Sequence, residues 1–378
     1  MKLAYVTPHA SDDVHAGVGL DDFIRKSLEK SGFTVEPTEA LKESGKIPGK
    51  LKELAYRHLA GKRFVRNRSP KVLDSYARQV ETALERIVPD AILSSSTGPL
   101  AHLKTALPVV LWTDATFAGL SDYYGHLSHL CETSRRDGHE MEQAALDRCS
   151  LAIFSSKWAA ETALQRYEVD PEKVKVVPYG ANLAGKRTAQ EMERILQQKD
   201  WRCCKLLFIG TEWERKGGAI ALQTAQVLNK LGLRTELHVV GCDPPVKTPD
   251  FVIRHGFISK KTPQGMARMK QLLAGTHFLL VPSRAESYGL VFAEASGFGL
   301  PSLAADTGGV SSVIRTGKNG QLFPLSAGGE EYAEFIGGLM GSRRYYEALC
   351  RSSFTEYERR LNWDVAGNEV GRLIRGLL

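Results

Sequence analysis

The chain has 378 residues, and because domains commonly contain about 100 to 200 residues, this length predicts two domains rather than one core. The composition is 43% hydrophobic and 25% charged with 35 glycines, which excludes a disordered or fibrous chain. The net charge is +7, and the opening run MKLAYVTPHAS is too short and polar for a signal peptide or membrane span, so we expect a cytoplasmic protein. The six cysteines show no CxxC spacing, which predicts reduced thiols and no structural zinc.

Short apolar runs alternate with longer helical stretches along the first half of the chain. This alternation is typical of βα units that build a parallel sheet. The first helix is predicted at 20–31, where apolar residues share one face and Gly32 supplies a C-terminal stop. Six strands are predicted in this half, at 3–6, 34–36, 91–93, 109–112, 151–154 and 174–177.

The same alternation begins again after a polar stretch in the middle of the chain. The restart is the apolar run LLFIG that ends at Gly210. A second parallel sheet is therefore predicted, with strands at 205–209, 236–240, 251–254, 278–281, 302–304 and 321–323.

The change in pattern sets the predicted domain boundaries. We expect an N-terminal Rossmann-like domain, a linker that is also a hinge candidate, and a C-terminal Rossmann-like domain. The last segment reads as an amphipathic helix, and we expect it to pack back on the first domain. The boundaries are 1–183, 184–200, 201–361 and, for the C-terminal helix, 362–378.

A basic segment at 46–78 carries ten Lys or Arg residues against Glu53 and Asp74. A field of one sign attracts nucleic acid, anionic lipid or a phosphorylated acceptor. One interpretation is docking on an anionic bilayer. The alternative is a solvated helical face whose leucines pack in the core, and the residues favour neither.

The most informative stretch is 278–309, FLLVPSRAESYGLVFAEASGFGLPSLAADTGG. An apolar strand ends near Pro282, and a helix is predicted to begin near Ser287. Backbone N–H groups at a helix start are free to face an anion, and the helix dipole favours one there. The groups expected to face a phosphate belong to Ser287, Tyr288, Gly289 and Leu290.

Two carboxylates in this stretch, Glu286 and Glu294, stand eight residues apart. Set between VPS, ESYGL, EA and GLP, they resemble the E-x7-E motif of the retaining glycosyltransferases of the GT-B fold, and the match is similar in kind to glycosyltransferase family 4. Further segments agree with that family in order and spacing: LAIFSSKW, VKVVPYGANL, FIGTEWERKGG, ELHVVGCDP and VIRTGKNGQLFP.

The resemblance implies an α/β GT-B fold, with two Rossmann-like domains whose parallel sheets face each other across a cleft. It implies that the N-terminal domain lies on the acceptor side and that the C-terminal domain binds the donor. It further implies that Lys216 meets the donor diphosphate, Glu294 the ribose hydroxyls and Glu286 the hydroxyls of the donor sugar. These roles are chemically reasonable, since an ammonium stabilises charge on a leaving diphosphate and a carboxylate accepts two hydrogen bonds from a diol. Retention of anomeric configuration and independence from metal ions are implied as well.

The chain departs from the family pattern at several positions. Thr211 stands where many relatives carry an arginine, and the neighbouring Arg215 is the candidate for the missing charge. Asp114 stands where relatives have a histidine, so it is either a catalytic residue of the cleft or a helix-capping or turn aspartate. Gly17 and Gly19 resemble the glycines that contact phosphate in the family, with ordinary loop glycines as the alternative.

Other chemistries are not supported by the sequence. It contains neither a P-loop nor a G-x-G-x-x-G motif, and His126, His129 and His255 have no companion ligands at metal spacing, so we expect no metal and no cofactor.

We therefore expect a hexosyltransferase in which Glu286, Asp114 and Lys216 are catalytic. Its donor is expected to be a UDP- or GDP-sugar, and its acceptor a saccharide or lipid-linked acceptor in cell-surface polysaccharide or glycolipid synthesis. Contact with the inner face of the membrane is expected through 46–78, and no nucleic acid partner is expected. A nucleotide-sugar epimerase and a non-catalytic nucleotide-sugar-binding protein remain the alternatives.

Overall fold

The structure, a computed structural model, describes residues 1–8, 19–44, 53, 54, 56, 58, 61–121, 123–183 and 185–378. The described chain divides into two compact domains. The first domain consists of Met1–Pro178 together with Trp363–Leu378, and the second domain is Tyr179–Asn362.

A six-stranded parallel sheet forms the centre of the first domain. Its strands are β1 (Lys2–Val6), β2 (Thr34–Pro37), β3 (Ala91–Ser94), β4 (Val109–Thr113), β5 (Leu151–Phe154) and β6 (Val174–Val176). They are ordered β2-β1-β3-β4-β5-β6, and every residue of β3, β4 and β5 is buried. Helices cover both faces of such a sheet, which is why these strands are continuous apolar runs.

The helices of the first domain connect the strands of this sheet. They are α1 (Leu20–Lys30), α2 (Pro70–Ile87), α3 (Phe117–Leu120), α4 (Glu132–Arg148) and α5 (Lys157–Arg166), with 3-10 turns at Arg66–Arg68, Gly125–Leu127 and Pro171–Lys173. α5 begins where it does because Ser156 Oγ accepts a hydrogen bond from the backbone N–H of Ala159 at 3.2 Å.

The C-terminal helix, Trp363–Arg375, lies within 362–378 and packs on α1 in the first domain. The indole of Trp363 stacks on the ring of Phe23 with centroids 5.9 Å apart. The helices approach so closely at Gly367 that a Cβ there would lie 2.5 Å from the carbonyl oxygen of Ser27. A small residue is therefore required at this crossing.

The second domain is built on another six-stranded parallel sheet. Its strands are β7 (Cys204–Ile209), β8 (Thr235–Val240), β9 (Val252–Arg254), β10 (Phe278–Leu280), β11 (Ser302–Ala305) and β12 (Gly320–Phe323). Their order is β12-β11-β10-β7-β8-β9, which places the two central strands β7 and β10 side by side.

Seven helices are described in the second domain. They are α6 (Ala189–Gln197), α7 (Gly218–Lys230), α8 (Pro263–Gly275), α9 (Leu290–Ser296), α10 (Val310–Val313), α11 (Gly329–Met340) and α12 (Arg343–Arg360). α6 lies inside the predicted linker 184–200, which is therefore not simply an extended connection. A capping box starts α6, since Thr188 accepts from the N–H of Glu191 and Glu191 accepts from the N–H of Thr188.

The predicted fold class is confirmed, in that two parallel six-stranded sheets with flanking helices are present. Each of the twelve predicted strands overlaps a strand of the structure. The division between the domains falls between Pro178 and Tyr179, ahead of the predicted linker.

Each domain buries an ionisable side chain, Glu142 in the first domain and His277 in the second. Glu142 on α4 accepts a hydrogen bond from Thr97 Oγ1 at 3.0 Å, and burial raises its pKa to about 7. His277 accepts a hydrogen bond from the N–H of Lys205 at 3.0 Å, and burial lowers its pKa to about 3. Burial therefore favours the uncharged form of each side chain in the folded protein. Because each pKa differs from its ordinary value, both groups make the stability of the protein depend on pH.

Candidate active site

Lys216 and Glu286 meet at one edge of the second sheet. Lys216 comes after β7 and Glu286 comes after β10, and these two strands pair in parallel. The carboxyl ends of parallel neighbours lie at the same edge, which is where such folds bind ligands. The ammonium of Lys216 forms a hydrogen-bonded ion pair with Glu286 Oε2, and both side chains are largely buried.

Two glycines place Lys216 at this edge. A Cβ at Gly210, just after β7, would lie 2.6 Å from Cγ of Lys216, so only glycine leaves room for the lysine side chain. Gly217 has a φ of 75°, and a Cβ there would lie 2.1 Å from the carbonyl oxygen of Pro282. The lysine loop and the loop after β10 thus pack backbone to backbone.

The carboxylate of Glu286 has a further neighbour in its own loop. Ser283 Oγ donates to Glu286 Oε2 at 3.3 Å, and the side chain of Glu286 is almost wholly buried. The carbonyl oxygen of Glu286 also accepts from the N–H of Gly309 at 3.1 Å. The stretch 306–309 therefore packs on the backbone that carries Glu286.

Arg215 links the same two loops. Its guanidinium donates to Glu212 Oε1 at 2.7 Å and to the carbonyl oxygen of Ala285 at 3.0 Å. The carbonyl oxygen of Arg215 accepts from the N–H of Arg284 at 2.7 Å. Arg215 is thereby tied to the residue that precedes Glu286, and the structure gives it an anchoring contact in addition to its predicted role in charge.

The helix after Glu286 begins later than the sequence suggested. α9 starts at Leu290 rather than near Ser287, because Gly289 adopts a φ of 87° and interrupts helical geometry just before it. Ser287 and Tyr288 consequently belong to a loop. The phenol of Tyr288 is buried and donates to the carbonyl oxygen of Tyr179 at 2.6 Å, and burial raises its pKa.

Glu294 lies on α9 with only 1% of its surface exposed. The ammonium of Lys260 is 2.6 Å from Oε1 and 2.5 Å from Oε2 of this carboxylate. Lys260 belongs to the connection between β9 and α8, and sequence reasoning missed it because it lies 34 residues from Glu294 and in no recognised motif.

The remaining predicted site residues belong to the first domain. Asp114 is half-buried and directly follows β4, the position expected for a residue at the carboxyl edge of that sheet. Gly19 is the N-cap of α1 with a φ of 75°. Gly17 lies outside the residues that the structure describes.

In the described ranges, no group of three or more His, Cys, Asp or Glu side chains is arranged to hold a metal ion. His255 instead stacks on His238 with ring planes 6° apart, and one nitrogen of each ring approaches the other at 3.0 Å.

Residues 203–342, which include Lys216, Lys260, Glu286 and Glu294, match the family model described as "Glycosyl transferases group 1". The matched stretch lies within the second domain. The match confirms the resemblance found in the sequence, on the part of the chain that carries the E-x7-E motif. Both ion pairs, Lys216 with Glu286 and Lys260 with Glu294, lie within the matched residues.

Curated relatives agree with this family. The chain is 30% identical over 207 residues to the D-inositol 3-phosphate glycosyltransferase of Gordonia bronchialis, a match that covers 50% of this chain and 44% of the relative. The matched stretches span about half the length of this relative and of its counterpart from Mycobacteroides abscessus.

Solved structures share the fold along the whole chain. Sucrose-phosphate synthase from Thermosynechococcus elongatus aligns with a TM-score of 0.70 at 18% identity, covering 100% of this chain and 99% of that one. Anabaena HepE in complex with UDP-glucose aligns with a TM-score of 0.65 at 18% identity, covering 100% of both chains. At this identity the likeness establishes the GT-B fold.

Proposed function

We propose that this protein is a retaining glycosyltransferase that moves a hexose from a nucleotide diphosphate sugar to an acceptor hydroxyl. The observation that carries the proposal is the buried ion pair of Lys216 and Glu286, which lies at the carboxyl edge of the second sheet, within the residues that match the group 1 family model. A lysine there suits a diphosphate, and a carboxylate suits sugar hydroxyls.

UDP-glucose is the first donor to test. HepE, which shares the fold, was solved with UDP-glucose, and a UDP-sugar is one of the two donor classes expected from the sequence. In the proposed complex, Lys216 moves from Glu286 to the diphosphate, and Glu286 then accepts hydrogen bonds from the donor sugar. Glu294 accepts the ribose hydroxyls.

The proposed chemistry is a front-face transfer. The bond between C1 of the sugar and the diphosphate oxygen breaks, and a bond forms between C1 and the acceptor oxygen on the same face. The proton of the acceptor hydroxyl passes to the departing phosphate, so the anomeric configuration is retained. The positive charge of Lys216 stabilises the leaving group as its negative charge grows, which is the role that a metal ion has in other enzymes. Asp114 is the proposed first-domain contact to the donor sugar.

Two acceptor classes follow from different observations. The sequence favours a saccharide or lipid-linked acceptor in cell-surface polysaccharide or glycolipid synthesis. The curated relatives are named D-inositol 3-phosphate glycosyltransferases, which favours a phosphorylated polyol. An assay that offers UDP-glucose with D-inositol 3-phosphate in one arm and with saccharide acceptors in the other distinguishes the two.

The test of the proposed function is release of UDP from UDP-glucose, with GDP-sugars as a second arm. We expect acceptor-dependent release that is lost in Glu286→Ala and kept in Glu214→Ala, an exposed glutamate of the lysine loop. Formation of an epimerised donor without acceptor identifies an epimerase instead. Binding of UDP-glucose with no product from any acceptor identifies a non-catalytic binding protein, and either result contradicts the proposal.

Membrane docking through 46–78 remains a proposal for the exposed part of this segment. Two of its arginines are not available to bind anionic lipid, because Arg66 pairs with Glu43 and Arg68 is largely buried over the ring of Phe117. Lys46, Lys50, Lys52 and Arg57 lie outside the described residues. In the described ranges, no helix has the length and apolarity needed to cross a bilayer. Co-sedimentation with phosphatidylserine vesicles, absent with phosphatidylcholine alone, is the expected result.

A further inference from the structure

The carboxylate of Glu294 depends on one cation from another part of the second domain. Lys260 reaches it from the connection between β9 and α8, and its ammonium is within hydrogen-bond distance of both carboxylate oxygens. Across the described ranges, no other side chain donates a hydrogen bond to this carboxylate. Lys260 is thus the partner that compensates a charge of which only 1% is exposed.

The contact with Lys260 leaves part of the hydrogen-bonding capacity of the carboxylate unused. A carboxylate has about four lone-pair sites, two on each oxygen, and an ammonium has three N–H donors. Since Lys260 engages both oxygens, it occupies about one site on each. The remaining site on each oxygen matches the two hydroxyls of a vicinal diol.

We propose that Lys260 is a positioning residue for nucleotide recognition, which fixes Glu294 so that both of its oxygens accept the 2′- and 3′-hydroxyls of the donor ribose. This inference rests on the proposed function, in which Glu294 meets the ribose. Lys260 does not itself contact the nucleotide in this arrangement. It determines the preference for ribose over deoxyribose through the orientation of Glu294.

The neighbouring residue offers a matched control. Lys261 lies in the same connection, is exposed, and uses its backbone N–H to bond Ser259 Oγ at 3.3 Å. Lys261→Met therefore removes the same charge from the same loop without touching Glu294.

The experiment measures by calorimetry how tightly the full chain binds UDP and 2′,3′-dideoxy-UDP. For the wild type and for Lys261→Met we expect the affinity for UDP to be at least about tenfold higher than the affinity for the dideoxy nucleotide. For Lys260→Met we expect the affinity for UDP to fall by about tenfold, while the affinity for the dideoxy nucleotide changes by about twofold or less. A Lys260→Met protein that keeps the wild-type preference for ribose overturns the inference, as does an equal loss for both nucleotides, which would indicate direct contact with phosphate.

A second pair of variants covers the case in which Lys260→Met does not fold because Glu294 is left buried and unpaired. Glu294→Gln leaves no carboxylate buried without a cation, because glutamine is neutral, and the double variant Lys260→Met/Glu294→Gln removes both charges of the pair. We expect these two proteins to bind UDP equally, since Lys260 acts only through Glu294. A further loss in the double variant overturns the inference.

The outcome for the wild type separates the two proposals. If it binds UDP with a preference for ribose that Lys260→Met retains, the positioning role fails and the proposed function stands. If the wild type binds none of UDP, GDP and ADP, the proposed function fails, and the inference fails with it. Should GDP be the nucleotide that binds, GDP and 2′,3′-dideoxy-GDP replace the uridine pair.

Discussion

Glu286→Gln separates two effects of the same carboxylate. In the structure, Glu286 holds the ammonium of Lys216, so a nucleotide diphosphate has to displace this contact and approach a negative charge. Glutamine keeps the size of the side chain and removes the charge. We therefore expect Glu286→Gln to bind UDP more tightly than the wild type while it loses transfer activity.

The size of the effect follows from the ion pair. A hydrogen bond between charged groups contributes about 1.5 to 3 kcal/mol. If UDP recovers about half of this when the carboxylate is removed, its affinity rises by about threefold to tenfold, since 1.4 kcal/mol is a factor of ten. UDP-glucose loses an acceptor for its sugar hydroxyls at the same time, so its affinity should not rise. Transfer should fall by about a hundredfold or more.

The assay is calorimetric titration of UDP and UDP-glucose, with transfer measured as UDP release. Glu214→Gln is the control, because Glu214 is an exposed carboxylate of the lysine loop. We expect it to match the wild type in both affinities and in rate. If Glu286→Gln binds UDP no more tightly than the wild type, or transfers at the wild-type rate, the proposed exchange of Lys216 between carboxylate and diphosphate is refuted.

Three further predictions concern stability. Burial raises the pKa of Glu142 to about 7, so the stability that its protonated form contributes is present below about pH 4.5 and lost as pH rises through about 7. Glu142→Gln should therefore gain stability over the wild type across that window, by up to about 3 kcal/mol in urea unfolding. Burial lowers the pKa of His277 to about 3, so its contribution is present above about pH 6.5 and lost as pH falls through about 3. His277→Asn, whose amide oxygen can replace the ring nitrogen as acceptor, should lose less stability between pH 6.5 and 4 than the wild type. Gly217→Ala and Gly232→Ala both place a side chain at positive φ, but only the first meets a backbone atom, Pro282 O at 2.1 Å. Gly232→Ala should lower the free energy of unfolding by about 1 kcal/mol. Gly217→Ala should lower it clearly more and should also weaken UDP binding, because Gly217 packs against the loop after β10. Equal thermal shifts for the two glycine variants would contradict this prediction.

The sheets were predictable because their strands are continuous apolar runs between turn residues. The run LAIF at Leu151–Phe154 is wholly buried, as expected for a strand covered on both faces. α6 was missed although Thr188 and Glu191 form a capping box that the sequence displays as T-x-x-E. The polar composition of 184–200 outweighed this local signal, because polar composition indicates solvent exposure and does not show whether an exposed segment is helical.

The site was predictable only in part. Glu286 and Lys216 stand 70 residues apart, and the family resemblance marked both, but their ion pair is a product of the strand order. Lys260 and Lys261 are adjacent and chemically equal, so the sequence alone does not indicate which one turns toward Glu294. Charge alone likewise does not give the direction of a side chain, which is why Arg68 was counted in an exposed basic segment although it is largely buried.

The most direct measurement is a crystal structure of the full chain with UDP, or with GDP if GDP raises the melting temperature more. We expect the ammonium of Lys216 to have left Glu286 and to lie about 3 Å from a diphosphate oxygen, with both oxygens of Glu294 accepting from the ribose. A nucleotide bound elsewhere, with Lys216 still paired to Glu286, would contradict the proposed donor site.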